Sequence, residues 1–246
     1  MVRTIEREGF FVLGGSSDIG ISLARLLLER GKRPYLSHAT SRGKEKIMDE
    51  LGEDVRCVHL DLSSRDSISS FFSSLDLPVS YLVDLAHERM ESLFASAADK
   101  LIYSYYLSNV AGRAIFLKYM VRHMLKGRWG RMIFVSSCAA RFINPGQSYY
   151  ASSKAASEAL YHAIGVEMAP RGISTLVLRL GYVRAGRGDS FLKEHPFLEE
   201  VALTCEEVAE AILFFCTERG RCFSSTEVVM DRGFCSMLKK LSLGGR

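Results

Sequence analysis

The chain has 246 residues, 48% of them hydrophobic and 24% charged, with a formal net charge of +4. That balance suits one globular domain with a full core and excludes a disordered or low-complexity chain; the mild positive charge fits anionic ligands such as phosphates, not a dedicated nucleic-acid surface. The six cysteines are scattered, with no Cys-x-x-Cys pair and no Cys/His group at metal-ligand spacing, so reduced cytoplasmic thiols, no disulfide frame and no metal are expected.

In chain order, Met1 to Glu8 lacks the apolar stretch of a secretory signal, and no apolar run approaches the ~20 residues of a membrane span, so no membrane association is expected. Strand patterns fall at 8–13, 33–37, 55–60, 80–84, 131–136, 173–179 and 226–230. Helix patterns fall at 18–30, 43–51, 64–75, 96–126, 148–169 and 204–218. Strands alternating with helices predict right-handed βαβ units. The expected fold is α/β, a single Rossmann-type doubly wound parallel sheet with helices on both faces, spanning residues 1–246 without linker or repeat.

The first strand runs into Gly14-Gly15-Ser16-Ser17-Asp18-Ile19-Gly20, and an amphipathic helix follows until Gly31. Strand, glycine turn and helix form the arrangement a dinucleotide needs: glycines let backbone approach the pyrophosphate, and the helix N-terminus offers free N–H groups. The competing reading is a plain βα turn. NAD-binding versions carry an acid at the end of the second strand for the ribose 2′-hydroxyl. Here Tyr35 to Lys44 has no acid but includes His38, Thr40, Arg42 and Lys44, which favours a 2′-phosphate and hence NADP(H). Alternatively, Arg42 and Lys44 are solvated charges at a helix start.

Further on, Tyr150 and Lys154 are four apart, one turn from each other on one helix face, and Ser137 lies upstream at a strand end. An ammonium near a phenol favours the phenolate, lowering a pKa that starts near ~10. Such a phenol passes a proton to or from a carbonyl oxygen near neutral pH, and Ser137 would hold that oxygen.

Together the loop and this group resemble the short-chain dehydrogenase/reductase family over roughly residues 8–234. Gly14, Asp18 and Gly20 fall on its three loop-glycine positions. The resemblance implies a catalytic set of Asn109, Ser137, Tyr150 and Lys154, with Asn109 holding a water that connects Lys154 to solvent. It implies NADP(H) contacts from Gly14, Ser16, Ser17, Asp18, Ile19, Gly20, His38, Thr40, Arg42, Asp61, Leu62, Ala86, Tyr150, Lys154, Gly181 and Val183. Asp61 could instead cap helix 64–75, a role Ser63 would fill equally well. A lid is implied at 186–200; Tyr149 reads as packing.

Three departures stand out. The usual Asn-Asn-Ala-Gly is Asp84-Leu85-Ala86-His87, with His87 read as structural; the usual Pro-Gly is Leu180-Gly181; and Arg184 replaces a threonine. Within the family the chain most resembles 3-oxoacyl-[acyl-carrier-protein] reductases of fatty acid and polyketide synthesis. That implies an acyl carrier protein partner docking on Arg128 and Arg171 near the mouth of the site, and a homotetramer or dimer. The alternatives are a reductase or dehydrogenase of a free small ketone or alcohol, and a non-catalytic NADP-binding sensor.

Overall fold

The computed structural model describes residues 7–235 apart from 77, 89, 187–191, 193 and 194. One parallel sheet contains β1 (Phe10–Leu13), β2 (Tyr35–His38), β3 (Arg56–His59), β4 (Tyr81–Asp84), β5 (Gly130–Ser137), β6 (Ile173–Leu180) and β7 (Thr226–Met230). Their order is β3-β2-β1-β4-β5-β6-β7. The chain winds outward from β1 to β3, returns to β4 on the other side of β1, and winds outward again to β7. That reversal opens a crevice at the C-terminal strand ends, where doubly wound sheets bind ligands. The α/β architecture expected from the alternation is the one found.

The inner strands are apolar on both faces because helices cover both. Phe10, Val12, Leu36, Val83, Ile133 and Leu176 fill one core with α1 (Asp18–Glu29), α2 (Ser41–Leu51) and α7 (Cys205–Cys216). Their strand neighbours Phe11, Leu13, Leu82, Met132, Phe134 and Val177 fill the other with α3 (Arg65–Ser74), α5 (Arg113–Lys126) and α6 (Ser148–Met168). Among the described residues, no helix is long and apolar enough to cross a membrane.

Two local expectations are corrected. The long helix expected at 96–126 is α4 (Asp99–Tyr106), a π-helical turn (Leu107–Gly112) and then α5. The widened turn presses Gly112 against α3's approach: a Cβ there would lie 1.8 Å from the Leu62 carbonyl oxygen, so only glycine fits. The cap of α3 is Ser64, whose hydroxyl accepts from Ser67 N–H at 3.1 Å, not Asp61 or Ser63. Asp61 accepts instead from the Ser63 backbone N–H at 2.8 Å and the Ser63 hydroxyl at 2.7 Å.

The site half of the sheet is tied by a polar cluster, buried at Arg179 and Glu158 and exposed at Glu227. Arg179 of β6 donates from Nη2 to Glu158 of α6 at 2.8 Å and to Glu227 of β7 at 2.6 Å. Ser136 of β5 donates to the other Glu158 oxygen at 2.6 Å. The Arg179 hydrogen bond holds the Glu227 carboxyl below the usual carboxylate range. A depressed folded-state pKa contributes stability present above the unfolded value, near ~4.3 for glutamate, and lost as pH falls. The unfolding midpoint should therefore drop as pH is lowered from about 6 to about 3. Glu227→Gln should flatten that dependence, and an identical slope in the variant would contradict the assignment.

Candidate active site

The glycine loop closes the C-terminal end of β1. Gly14 takes φ +80°, and a Cβ on it would lie 2.7 Å from the Ala86 nitrogen, so the loop lies directly against the segment after β4. Ser17 caps α1, accepting from Gly20 N–H at 3.1 Å, and its hydroxyl donates to the Gly14 carbonyl at 2.9 Å. Gly14 N–H donates to Ser37 Oγ of β2 at 2.9 Å, which fixes the loop to the next strand. Asp18, on the middle glycine position, forms an ion pair with Lys46 of α2. That pairing, absent from the sequence reading, balances an acid placed at a helix N-terminus.

Around the loop, the second-strand end contributes His38, which is buried with Nδ1 3.1 Å from the Thr40 carbonyl; burial pushes its pKa down. Thr40 caps α2, accepting from Gly43 N–H at 3.1 Å. The start of α2 abuts the loop, since a Cβ on Gly43 would lie 3.1 Å from Ser16 Oγ. Arg42 and Lys44 are exposed beside it.

Beyond the crevice, α6 carries Tyr150 and Lys154. The buried Lys154 ammonium donates to the Val135 carbonyl of β5 at 2.9 Å. It lies 4.9 Å from the Phe134 ring centroid and 5.9 Å from that of Tyr150. An isolated buried ammonium is costly, and the carbonyl and ring faces help retain it. Two residues past Val135, Ser137 ends the strand, and its oxygen accepts from Ala139 N–H at 3.2 Å. Its own hydrogen stays available to a carbonyl oxygen. Tyr149 packs away from the site: its hydroxyl donates to the Phe94 carbonyl at 2.7 Å and its ring stacks on Phe94.

Asn109 sits in the π turn, 1% exposed. Its side chain accepts from Glu88 N–H at 2.9 Å and donates to the Tyr105 carbonyl at 3.0 Å. Its own carbonyl accepts from Arg113 Nε at 3.0 Å. Here lies what the sequence reading missed. Arg113 and Asp84, each wholly buried, form an ion pair. The same guanidinium donates to the Ala86 carbonyl, and Tyr161 donates to Asp84 at 2.8 Å. An Asp in the place of the usual Asn, with an Arg one turn after Asn109, was the available signal.

His87 stands perpendicular to Tyr150 with ring centroids 5.1 Å apart. Its Nε2 lies 3.0 Å from Tyr105 Oη and 3.2 Å from Ser153 Oγ, so it forms a polar wall beside the phenol. Along the crevice, Gly181 N–H donates to the Met230 carbonyl at 2.9 Å, and Val183 bridges to Leu203. Arg184 donates to the Glu199 carbonyl at 2.9 Å, toward the expected lid. Residues 187–191, 193 and 194 of that lid lie outside the described residues. Of its described part, Leu192 and Leu198 pack with Phe234.

One placement overturns an expectation. Arg128 and Arg171 are exposed and adjacent, since a Cβ on Gly172 would lie 2.3 Å from the Arg128 carbonyl oxygen. They precede β5 and β6, whereas Ser137 ends β5. An eight-residue strand separates the two ends by about 23 Å at ~3.3 Å per residue. The arginines therefore do not line the mouth of their own chain's site.

The short chain dehydrogenase family model matches residues 9–195. The chain belongs to that family. The 3-oxoacyl-[acyl-carrier-protein] reductase FabG of Chlamydia pneumoniae is 25% identical, over 94% of this chain and 98% of its own. The (+)-borneol dehydrogenase 2 of Salvia officinalis is 25% identical, over 92% and 88%. The solved structure of ElxO with NADP bound shares the fold at TM-score 0.81 and 19% identity, covering 94% of this chain and 99% of that one.

Removing one partner of a buried ion pair typically costs about 3–5 kcal/mol, because the other charge is stranded. Arg113→Met should lower unfolding free energy by about that amount in urea titrations. The paired change Asp84→Asn with Arg113→Met should recover much of it, and equal losses in single and double variants would refute the coupling.

Proposed function

We propose that this chain reduces a ketone to a secondary alcohol with NADPH, the ketone being a 3-oxoacyl group on an acyl carrier protein. The observation carrying the proposal is the Lys154 ammonium, pinned at 2.9 Å to the Val135 carbonyl, one helical turn from Tyr150 and two strand residues from Ser137.

The residues present fit the dinucleotide. Gly14 and Gly20 let the loop backbone fold tightly at the α1 N-terminus, where a Cβ would lie 2.7 Å from the Ala86 nitrogen and 2.6 Å from the Gly15 oxygen. Gly14, Ser16, Ser17, Ile19 and Gly20 would hold the pyrophosphate at the α1 N-terminus, with Asp18 neutralised by Lys46. His38, Thr40 and Arg42 would hold the 2′-phosphate, Asp61 and Leu62 the adenine side, and Ala86, Gly181 and Val183 the nicotinamide side. When bound, NADPH supplies the hydride. Tyr150 hands its phenolic proton to the carbonyl oxygen. Lys154 favours the resulting phenolate and hydrogen-bonds the ribose. Ser137 steadies the developing negative charge, and Asn109 holds the relay water. His87 and the bonded Tyr105–Ser153 pair wall off the phenol. The complete set of Asn109, Ser137, Tyr150 and Lys154 speaks against a non-catalytic sensor.

The acyl-carrier reading draws on the FabG relatives. Because Arg128 and Arg171 face away from their own site, carrier docking there would serve a neighbouring subunit. Assembly as a dimer or tetramer is supported by apolar residues of α4 and α6 left in solvent, such as Tyr103, 80% exposed, and Val166, 70% exposed. No disulfide joins the cysteines of the described residues, which suits the cytoplasm. A second reading, a free small alcohol or ketone, is favoured by that remote arginine pair and by likeness to a borneol dehydrogenase.

Tyr150→Phe should cut turnover by roughly 10² to 10⁴ while leaving NADPH binding largely intact, checked by following NADPH absorbance alongside direct binding. Arg42→Ala should narrow the preference for NADPH over NADH by weakening NADPH alone, by roughly one to two decades. Equal use of both cofactors by the unaltered protein would sink the cofactor reading. Replacing Arg128 and Arg171 together by Glu should raise KM for a carrier-bound 3-oxoacyl substrate and spare a free β-ketoester. If both substrates suffer alike, the free-ketone reading takes over.

A further inference from the structure

The C-terminal ends of β5, β6 and β7 meet at a side-chain cluster that the reductase reading does not use. Cys138 follows Ser137, Asp231 follows β7, and Cys235 lies one turn beyond Asp231. The two Sγ atoms and a carboxylate oxygen of Asp231 lie within 4.8 Å of one another. Gly181, at the end of β6, closes the third side: a Cβ there would lie 2.8 Å from the Asp231 Cβ.

We propose that Cys138, Asp231 and Cys235 form a three-ligand site for a borderline-soft divalent cation of the zinc class, with a fourth position left to water. Four-coordinate zinc sets Zn–S at about 2.3 Å and Zn–O at about 2.0–2.2 Å. Tetrahedral angles then place the ligand atoms roughly 3.5–3.8 Å apart. Closing from the present spread takes about an ångström, within the reach of a side-chain rotation.

The carboxylate is already oriented. One Asp231 oxygen accepts from Gly233 N–H at 2.9 Å and the other from Cys235 N–H at 2.8 Å. Each oxygen keeps a second lone pair, and this is how outer hydrogen bonds fix a ligating carboxylate. Cys138 is buried and Asp231 nearly so at 9% exposed, while Cys235 is partly exposed, so a route for entry runs past Cys235. On binding, the metal takes two thiolate sulfurs and one carboxylate oxygen as electron-pair donors, and the two thiol protons pass to solvent.

A disulfide is the rival reading, and the carboxylate weighs against it. A sulfur pair needs no third donor, whereas a bound divalent cation offsets the charge that the carboxylate brings beside two thiolates. The sequence reading expected no metal because these ligands, at 138, 231 and 235, are brought together only by the parallel sheet.

The test uses the full chain, reduced and stripped with a chelator, and titrated with Zn²⁺ alone under a reductant that does not bind metal. One equivalent per chain should bind and raise Tm. Co²⁺ in its place should give a thiolate-to-metal charge-transfer band with tetrahedral visible absorption. Cys138→Ser, Cys235→Ser and Asp231→Asn should each weaken binding by at least ~10²-fold, while Cys222→Ser, an exposed thiol elsewhere, should not. Should a ligand variant fail to fold, the Co²⁺ spectrum of the unaltered chain still decides by counting thiolates. Absence of binding at micromolar Zn²⁺, binding that survives loss of both cysteines, or recovery of the chain with a Cys138–Cys235 disulfide under reductant would each overturn the proposal.

Discussion

The site rests on the buried pairing of Asp84 with Arg113. A carboxylate and a guanidinium wholly out of water are tolerable only when they are paired and hydrogen-bonded; both bonds to Asp84 converge on Oδ2, and its buried Oδ1 has no partner among the described residues. Here Asp84 also receives the Tyr161 hydroxyl, and Arg113 reaches the carbonyls of both Ala86 and Asn109. One cluster thus joins the end of β4, the segment against the glycine loop, the π turn and α6. The loop and α6, which carries Tyr150 and Lys154, are positioned relative to each other through it.

A second buried charge, Lys154, donates to the Val135 carbonyl. In the proposed mechanism the ammonium's positive charge acts on the Tyr150 phenol one turn away. The Glu158–Arg179–Glu227 cluster is kept separate, holding α6 to β6 and β7. Structural and chemical charges are thereby divided between two sets of residues on one helix.

Much of this was legible in the sequence. Strand and helix alternation gives the sheet, because buried parallel strands read as short apolar runs and covering helices as periodic ones. The Tyr150 and Lys154 spacing puts both residues on one stretch of α6, since four residues make about one turn whatever the tertiary context. What was hidden depends on distance in the chain. The Asp84–Arg113 pair spans two elements, and the π turn needs the contact of Gly112 with Leu62, so periodicity alone continues the helix through it. Likewise the arginines at 128 and 171 looked like a docking patch near the site. Strand direction places them at the far end of the sheet.

The central claim is that Lys154, so held, lowers the pKa of Tyr150. It is tested most directly by titrating the chain with ring-labelled tyrosine and following each phenol by nuclear magnetic resonance. Of the ten tyrosines, one should ionise well below the ordinary value near ~10, vanish in Tyr150→Phe, and move back up in Lys154→Met. Ten tyrosines all ionising at or above the ordinary value, or a low-titrating phenol unmoved by Lys154→Met, would contradict the account.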